Sequence, residues 1–506
     1  MNDTKDFSTS VWYADVPSPN YPQLKSNLEP DIVVIGGGIT GITAAYLLAK
    51  AGRQVVLLEA KKIASGSTAY STGNLYATVG ERLSNIERRH GEKDMIEMVK
   101  SRLAAIDFIE EMITANQIDC DFQRVPWHLF TRNSHSENES EIQREFKAGK
   151  KAGLEAHNTT LSDFPYSDIK EITTFENQAQ LNAYKYVLGL AQLINHQNCQ
   201  IFENTPVIKV KDGSPCIIDT DRHTVKANHV IMATHSPKGV YQVHTEMEVY
   251  REFALAAKLK EALPPAAVYW DLIESGQYSV RPYSTHDGNY LIALGEPYRT
   301  GTLEENEQFL QQIEQYVHQH FNVDHIAYRW AAQNYKSGDG LPYIGISALQ
   351  WNTYIATGFK ADGLVYGTLA AMLISDKIVG KEHQWLELYN PTRFTPIASA
   401  KQFAKETSTV VTHLVKDYLF YGNADSLKEI KNGDGKTLTI DGEKVAAYRD
   451  EEGGLHVVSS VCTHLGCVVH FNKAEKTWDC PCHGSRFTVD GDVIEGPAYN
   501  KLSKPL

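Results

Sequence analysis

Asp31-Ile-Val-Val-Ile-Gly36-Gly-Gly38-Ile-Thr-Gly41 reads as a short strand that runs into a glycine-rich turn and out into a helix. Four β-favouring apolar residues closed by glycine predict a parallel strand buried on both faces. Gly36, Gly38 and Gly41 form G-x-G-x-x-G. The first glycine permits the tight turn, the second lets the backbone approach a pyrophosphate, and the third lets helix and strand pack closely. The helix predicted over 40–51 points its first N–H groups at that anion. Residues 54–59 read as a second buried strand ending in Glu59, 18 residues past Gly41, where a carboxylate can accept hydrogen bonds from a ribose diol. Strand, turn, helix and acid together predict a dinucleotide site, which the bare glycine pattern would not.

Outward from this βαβ unit, strands and helices alternate. Helices are predicted around 81–115 and 140–152, a strand at 229–233, and strand-like segments at 249–259, 277–283 and 289–294. A helix at 304–320, a strand at 354–358 and a helix at 364–379 follow. The pattern is that of an α/β, Rossmann-like core bearing a mixed α+β lobe. Residues 1–30, polar and rich in proline, read as an arm with no core of its own. Residues 31–395 read as the dinucleotide-binding body, with the lobe inserted roughly at 81–155 and 240–328. Residues 396–420 read as an amphipathic helical linker. From 421 to 506 short strands separated by Asn432-Gly433, Asp441-Gly442, Gly453-Gly454 and Asp490-Gly491 predict a small all-β domain.

Composition agrees. At roughly 150 residues per domain, a chain of 506 residues needs more than one core. Hydrophobic residues at 42% and charged residues at 22% exclude a disordered chain or a fibre. A net charge of -13 argues against a nucleic-acid partner, which needs a basic surface. No apolar run reaches the ~18 residues of a membrane anchor. The N-terminus carries Asp3, Asp6 and Asp15 and has no apolar stretch of the kind a signal peptide needs. These features predict a soluble, cytoplasmic protein. Cys120, Cys199 and Cys216 are scattered and read as packed free thiols.

Further segments suggest which dinucleotide is bound. They are Ala64-Ser-Gly-Ser67-Thr68 with Ser71-Thr72-Gly73, Val230-Ile-Met-Ala-Thr-His235, Asp339-Gly340-Leu-Pro-Tyr-Ile-Gly345, and Thr357-Gly358-Phe-Lys360-Ala-Asp-Gly363-Leu364. In order and kind they resemble the flavoprotein family of D-amino acid, glycine and sarcosine oxidases, over about 30–395. The resemblance implies FAD held by Gly36, Gly38, Gly41, Glu59, Ser67, Thr68, Thr72, Gly73, Gly340, Gly358, Gly363 and Leu364. Residues 65–80 and 329–345 contain no Cys or His, so non-covalent FAD is expected. One glycine motif, with no second for NAD(P)H, predicts hydride arriving directly from a small substrate. Three residues are candidates for the chemistry. Lys336 and Lys360 would be cations beside the flavin, and Arg281 would be a bidentate clamp on a substrate carboxylate. The plainer reading of each is a structural or surface charge.

Near the C-terminus, Cys462-Thr-His464-Leu-Gly466-Cys467 and Cys480-Pro-Cys482-His483-Gly484-Ser485 gather four of the seven cysteines. One Cys and one His from each of two loops suit a Rieske [2Fe–2S] centre, with thiolates on one iron and imidazoles on the other. A zinc site is the rival, although zinc favours C-x-x-C spacing and would leave two cysteines unused. Residues 426–506 resemble Rieske domains as a whole. That resemblance implies Cys462, His464, Cys480 and His483 as ligands, Cys467 and Cys482 as a disulfide tying the loops, and Gly496-Pro497 as the cover over the cluster. Phe487 stands where members of the respiratory chain have a tyrosine. The missing hydroxyl predicts a potential in the lower or middle part of the Rieske range.

The two resemblances together imply a dehydrogenase. A small amine or amino acid would reduce FAD, the Rieske cluster would take the electrons singly, and an external one-electron acceptor would receive them. The alternatives are an O2-using oxidase with a structural Rieske domain, and a redox-sensing or electron-carrier flavoprotein with little turnover.

Overall fold

The computed structural model describes residues 10–13, 16–132, 136–159, 164–194, 198–274, 276–393 and 427–504. The linker expected at 396–420 lies outside the described residues. The predicted βαβ unit is present as strand Ile32–Ile35, helix Ile39–Lys50 and strand Val55–Leu58. It lies within a six-stranded sheet. The strand order is Tyr343–Ile346, Thr353–Thr357, His229–Met232, Ile32–Ile35, Val55–Leu58, Cys199–Phe202. Five strands run parallel and Tyr343–Ile346 is antiparallel at the edge. The four residues of Ile32–Ile35 are all buried, as are the four of Val55–Leu58, because helices Ile39–Lys50 and Gly363–Ile378 cover one face and a three-stranded sheet carrying Cys216, Ile218, Val225 and Ala227 covers the other.

The second lobe is built on a ten-stranded sheet. Its longest strands, Met247–Leu259 and Val323–Ser337, pair antiparallel along most of their length. Strand Glu171–Gln180 also belongs to this sheet, although it falls outside both stretches expected to form the lobe. Its interior residues include Thr173, Thr174 and Gln178, all buried. Two of the three find partners: Thr174 Oγ1 lies 2.8 Å from His128 Nδ1, and Gln178 Oε1 accepts from the Ala77 N–H at 2.6 Å, whereas Thr173 Oγ1 has none among the described residues. Polar residues satisfied in this way give no apolar alternation to read.

The N-terminal arm has no core of its own but supplies side chains to the body. Trp12 is fully buried against Tyr283, and Leu28 pairs with Val225. The C-terminal domain has two small sheets. One is three-stranded, from Asp434–Ile440, Glu443–Arg449 and Leu455–Ser459. The other is four-stranded, from His470–Asn472, Thr477–Asp479, Arg486–Phe487 and Val493–Glu495. Asp441 and Gly442 both take positive φ in the first hairpin, the turn that Asp-Gly predicts. Among the described residues no helix is long and apolar enough to cross a membrane.

Candidate active site and cluster site

The glycine turn is closed by contacts that tolerate no side chain. A Cβ on Gly41 would lie 1.9 Å from the Gly36 carbonyl oxygen, and one on Gly36 would lie 2.4 Å from that of Ala233. Gly36 also holds φ at +105°, in the left-handed region. Glu59 Oε2 accepts from the Gly37 N–H at 2.7 Å, and Oε1 accepts from the Lys61 N–H at 2.7 Å. Burial pushes the Glu59 carboxyl up, against the pull of those two donors. Thr68 Oγ1 accepts from the Ile39 N–H at 3.0 Å and so caps the first turn of the helix. Ser67 Oγ lies 3.0 Å from His235 Nδ1. A backbone cradle free of Cβ atoms, a helix N-terminus and a carboxylate at the strand end fit a dinucleotide.

Thr72 and Gly73 bring the chain to the second lobe. Beyond them lies a cavity of about 770 Å3, whose wall includes Thr72, Asn74, Gly80, Arg82, Glu252, Trp270 and Lys360. Gly358 turns at φ +79° after strand Thr353–Thr357, and Gly363 and Leu364 open helix Gly363–Ile378. Gly340 (φ +91°) lies beside Ile86 and Glu81. Lys336 and Lys360 converge on Glu81, with Nζ–Oε1 distances of 2.7 and 3.6 Å, and Lys360 also donates to the Gly80 carbonyl at 2.8 Å. Burial pushes Glu81 up, but the two lysines outweigh it and hold the carboxyl down at about 2.

Arg281 needs correction as a substrate clamp. It is buried, does not line the cavity, and its Nη1 donates to the carbonyls of Thr72, Gly73 and Leu181 at 3.1, 3.1 and 3.3 Å. It acts as a strut between its own strand in the lobe and the main chain at Thr72, Gly73 and Leu181, a role that residue type alone does not reveal. Two arginines line the wall, Arg82 and Arg144; Arg82 is stacked on Trp270 at 5.2 Å and held by Glu141 and Gln277, each at 2.6 Å. No local pattern in the sequence marks Arg82, Trp270, Glu81 or Glu252 as parts of this site.

In the C-terminal domain the two loops bring Cys462 and Cys480 into contact, both buried and outside any disulfide. The rings of His464 and His483 meet edge to face, 4.9 Å apart. Cys467 and Cys482 are joined by a disulfide. Cys467, Cys480 and Cys482 are mutually close enough to hold a metal, but two of the three are spent in that bridge. Two free thiols and two imidazoles remain, the donor set of a Rieske cluster and a poor match to a thiolate-rich zinc site. Gly466 and Gly484 take φ of +81° and +73°, and a Cβ on Gly484 would lie 2.5 Å from the Val249 side chain of the flavin body. Ser485 Oγ accepts from the Ala498 N–H at 3.0 Å, and its hydroxyl reaches Cys462 and favours the thiolate.

These loops do not face solvent on the imidazole side. His464 Nε2 lies 3.1 Å from the Gly239 carbonyl of the flavin body. That acceptor places the ring proton on Nε2 and leaves the Nδ1 lone pair for a metal. His244, also of the body, packs its ring 5.1 Å from His464 and 5.9 Å from His483. The body meets the loops chiefly through the paired strands Met247–Leu259 and Val323–Ser337. Gln333 donates to the Gly484 carbonyl at 2.8 Å, the Tyr335 hydroxyl donates to Gly496 at 3.0 Å, and Arg251 pairs with Glu475. Residues between these turn the other way, as strand alternation requires. Glu252 lines the cavity, and Lys336 reaches Glu81.

Residues 31–377 match the family model of the FAD dependent oxidoreductases, DAO, and residues 422–505 match that of the Rieske [2Fe-2S] domain. The chain is 32% identical over 508 residues to the Rieske 2Fe-2S iron-sulfur protein YhfW of Bacillus subtilis, covering 99% of this chain and 98% of that one. It is 24% identical to gamma-glutamylputrescine oxidoreductase of Escherichia coli over 389 residues, 74% of this chain and 89% of the relative. The crystal structure of glycine oxidase from Geobacillus kaustophilus superposes with a TM-score of 0.59 at 18% identity, covering 73% of this chain and all of that one. Cradle, cluster loops and whole-length likeness agree: the chain belongs to the DAO family of FAD-dependent oxidoreductases and carries a C-terminal Rieske [2Fe–2S] domain.

Proposed function

We propose that the protein is a dehydrogenase of small amines or amino acids that passes electrons through its Rieske cluster to an external one-electron acceptor. The observation that carries this reading is the shared wall. On Met247–Leu259, Glu252 lines the cavity while its neighbour Arg251 reaches Glu475 of the Rieske domain, and on the paired strand Gln333 bonds the Gly484 carbonyl while Lys336 turns to Glu81, so the sheet lies between the cavity and the cluster loops. A layer of that kind is on the order of 10 Å thick. FAD would supply two-electron oxidation and the cluster one-electron carriage, a division of labour that gives the fusion a purpose.

The chain's own part is to bind and to hold. Gly36, Gly38, Gly41 and Glu59 cradle the dinucleotide, with Ser67, Thr68, Thr72, Gly73, Gly340, Gly358, Gly363 and Leu364 along its length. Cys462, His464, Cys480 and His483 ligate the cluster. With no Cys or His in 65–80 or 329–345, FAD is held without a covalent bond. The amine sources in the relatives' names support a nitrogenous substrate here.

Anaerobic titration of the purified protein against a panel of amines and amino acids tests the reading. Flavin absorbance is expected to bleach with a working substrate, and the reduced-cluster EPR signal to follow. A cluster that stays oxidised beside a fully bleached flavin would replace this reading with that of an oxidase.

A further inference from the structure

We propose that Glu252 receives the proton of the substrate's ammonium group, in a cavity that selects its occupant as a cation. This rests on the amine-dehydrogenase reading and adds to it a residue and a charge preference. Glu252 stands mid-strand in Met247–Leu259 with only 7% of its surface exposed, and it lines the cavity. The groups that face it are the Asn334 amide from the paired strand, the Tyr76 hydroxyl, and Lys360 and Asp362 from the turn before helix Gly363–Ile378. None is a dedicated counter-ion. Lys360 is committed to the Gly80 carbonyl and stands near Glu81, while Asp362 is bonded to Arg102 at 3.1 Å. Of the arginines in the wall, Arg82 is pinned by Glu141 and Gln277, and Arg144 is exposed.

A buried carboxylate without a paired cation is costly. An ammonium entering the cavity would relieve that cost. Beside Glu252 the wall is aromatic. Trp270 and Tyr76 meet edge to face with centroids 5.4 Å apart, and Trp270 Nε1 has no hydrogen-bond partner among the described residues. Each ring already carries a guanidinium, Arg82 over Trp270 at 5.2 Å and Arg102 over Tyr76 at 5.9 Å, so the preference for a cation rests on Glu252. Burial pushes the Glu252 carboxyl up to about 7, against the pull of Lys360 and Asn334. Near neutral pH it can therefore both accept and release a proton.

The step is a proton transfer alone. One N–H bond of the ammonium breaks, an O–H bond forms on Glu252, and no electrons change hands. It is needed because only the neutral amine has a lone pair to assist loss of the neighbouring hydrogen. Free ammonium groups hold their proton to about pH 8–10.

The test uses tert-butylamine, which carries no hydrogen on the carbon bearing nitrogen and cannot be oxidised. It is titrated into the holoprotein at about pH 8, with binding followed by flavin absorbance. Protons released are counted by calorimetry in two buffers of different ionisation enthalpy. The wild type is expected to bind it saturably and release no proton, since the proton stays on Glu252. Glu252→Gln should bind about tenfold more weakly, or bind the neutral amine and release one proton to the buffer. Equal affinity with no proton released would overturn the proposal. So would tighter binding of pivalate, the isosteric carboxylate, to the wild type. Should Glu252→Gln fail to hold FAD, the wild-type affinity decides: it must depend on an ionisation near 7, and its absence overturns the role. If amines bleach the variant's flavin with an unchanged pH profile, Glu252 is excluded and the dehydrogenase reading stands. If no amine perturbs or bleaches the wild-type flavin, that reading falls first.

Discussion

Ser485 is buried and its oxygen is fixed by the Ala498 N–H, so its proton has one direction left, toward Cys462. A hydrogen bond to a ligand sulfur stabilises the more negative, reduced cluster. Ser485→Ala is therefore expected to keep the cluster but lower its potential. Losing part of a charge-assisted bond, about 1.4 kcal/mol, corresponds to about 60 mV for one electron. An EPR-monitored redox titration measures it, and an unchanged potential would show that the hydroxyl does not reach the sulfur. Phe487, fully buried where a second donor would stand, gives the opposite test, since Phe487→Tyr should raise the potential. The cysteines separate by role in the same way. Cys462→Ser should abolish the EPR signal, whereas Cys467→Ser should weaken cluster retention by loosening the loops while still allowing assembly.

The glycine turn makes its prediction at the level of the element. Helix Ile39–Lys50 packs so close to strand Ile32–Ile35 that a methyl on Gly41 would lie 1.9 Å from the Gly36 oxygen. Gly41→Ala must push the helix off the sheet, at about 1–3 kcal/mol, and should purify without FAD. Thermal melting and the flavin-to-protein absorbance ratio check both. This element is legible in the sequence because backbone sterics leave few residues that fit it. The two Cys–His loops are legible for a similar reason, since ligand chemistry restricts residue type and spacing. Strand Glu171–Gln180 is not, because its buried positions hold Thr and Gln, and Thr174 and Gln178 find their partners, His128 and Ala77, far away in the chain. Arg281 is misjudged for the same kind of reason, since its acceptors are main-chain carbonyls that any sequence could supply. Arg82, Trp270 and Glu81 come together only through the tertiary fold, and no local pattern marks them.

At the scale of the whole molecule, the question is what keeps the cluster against the wall it shares with the cavity. Arg251 of the body and Arg486 of the Rieske domain both grip Glu475, and Arg486 also holds Asp479 at 3.0 Å. Glu495 meets His235 at 2.9 Å, on the same nitrogen that Ser67 approaches. The docking residues thus adjoin the Ser67–Thr68 stretch next to the glycine turn. Burial pushes Glu475 up, but Arg251 and Arg486 outweigh it and hold it below the usual carboxylate range. Glu495 is lowered likewise, with His235 foremost against burial. Carboxylates depressed in the folded state contribute stability above their ordinary value, and that contribution is lost as pH falls through the folded one. The contribution of Glu475 should therefore be lost as pH falls below about 4. Glu475→Gln removes the central charge at any pH and leaves two buried arginines facing each other, a defect of about 3–5 kcal/mol. Its residue lies in neither the cavity nor the ligand set, so substrate should bleach the flavin at the wild-type rate. The cluster signal, followed by freeze-quench EPR in the same anaerobic mixing experiment, should lag by at least about tenfold. A cluster that keeps pace with the flavin in Glu475→Gln would mean that this ion-pair network is not what holds the Rieske domain in its electron-accepting position.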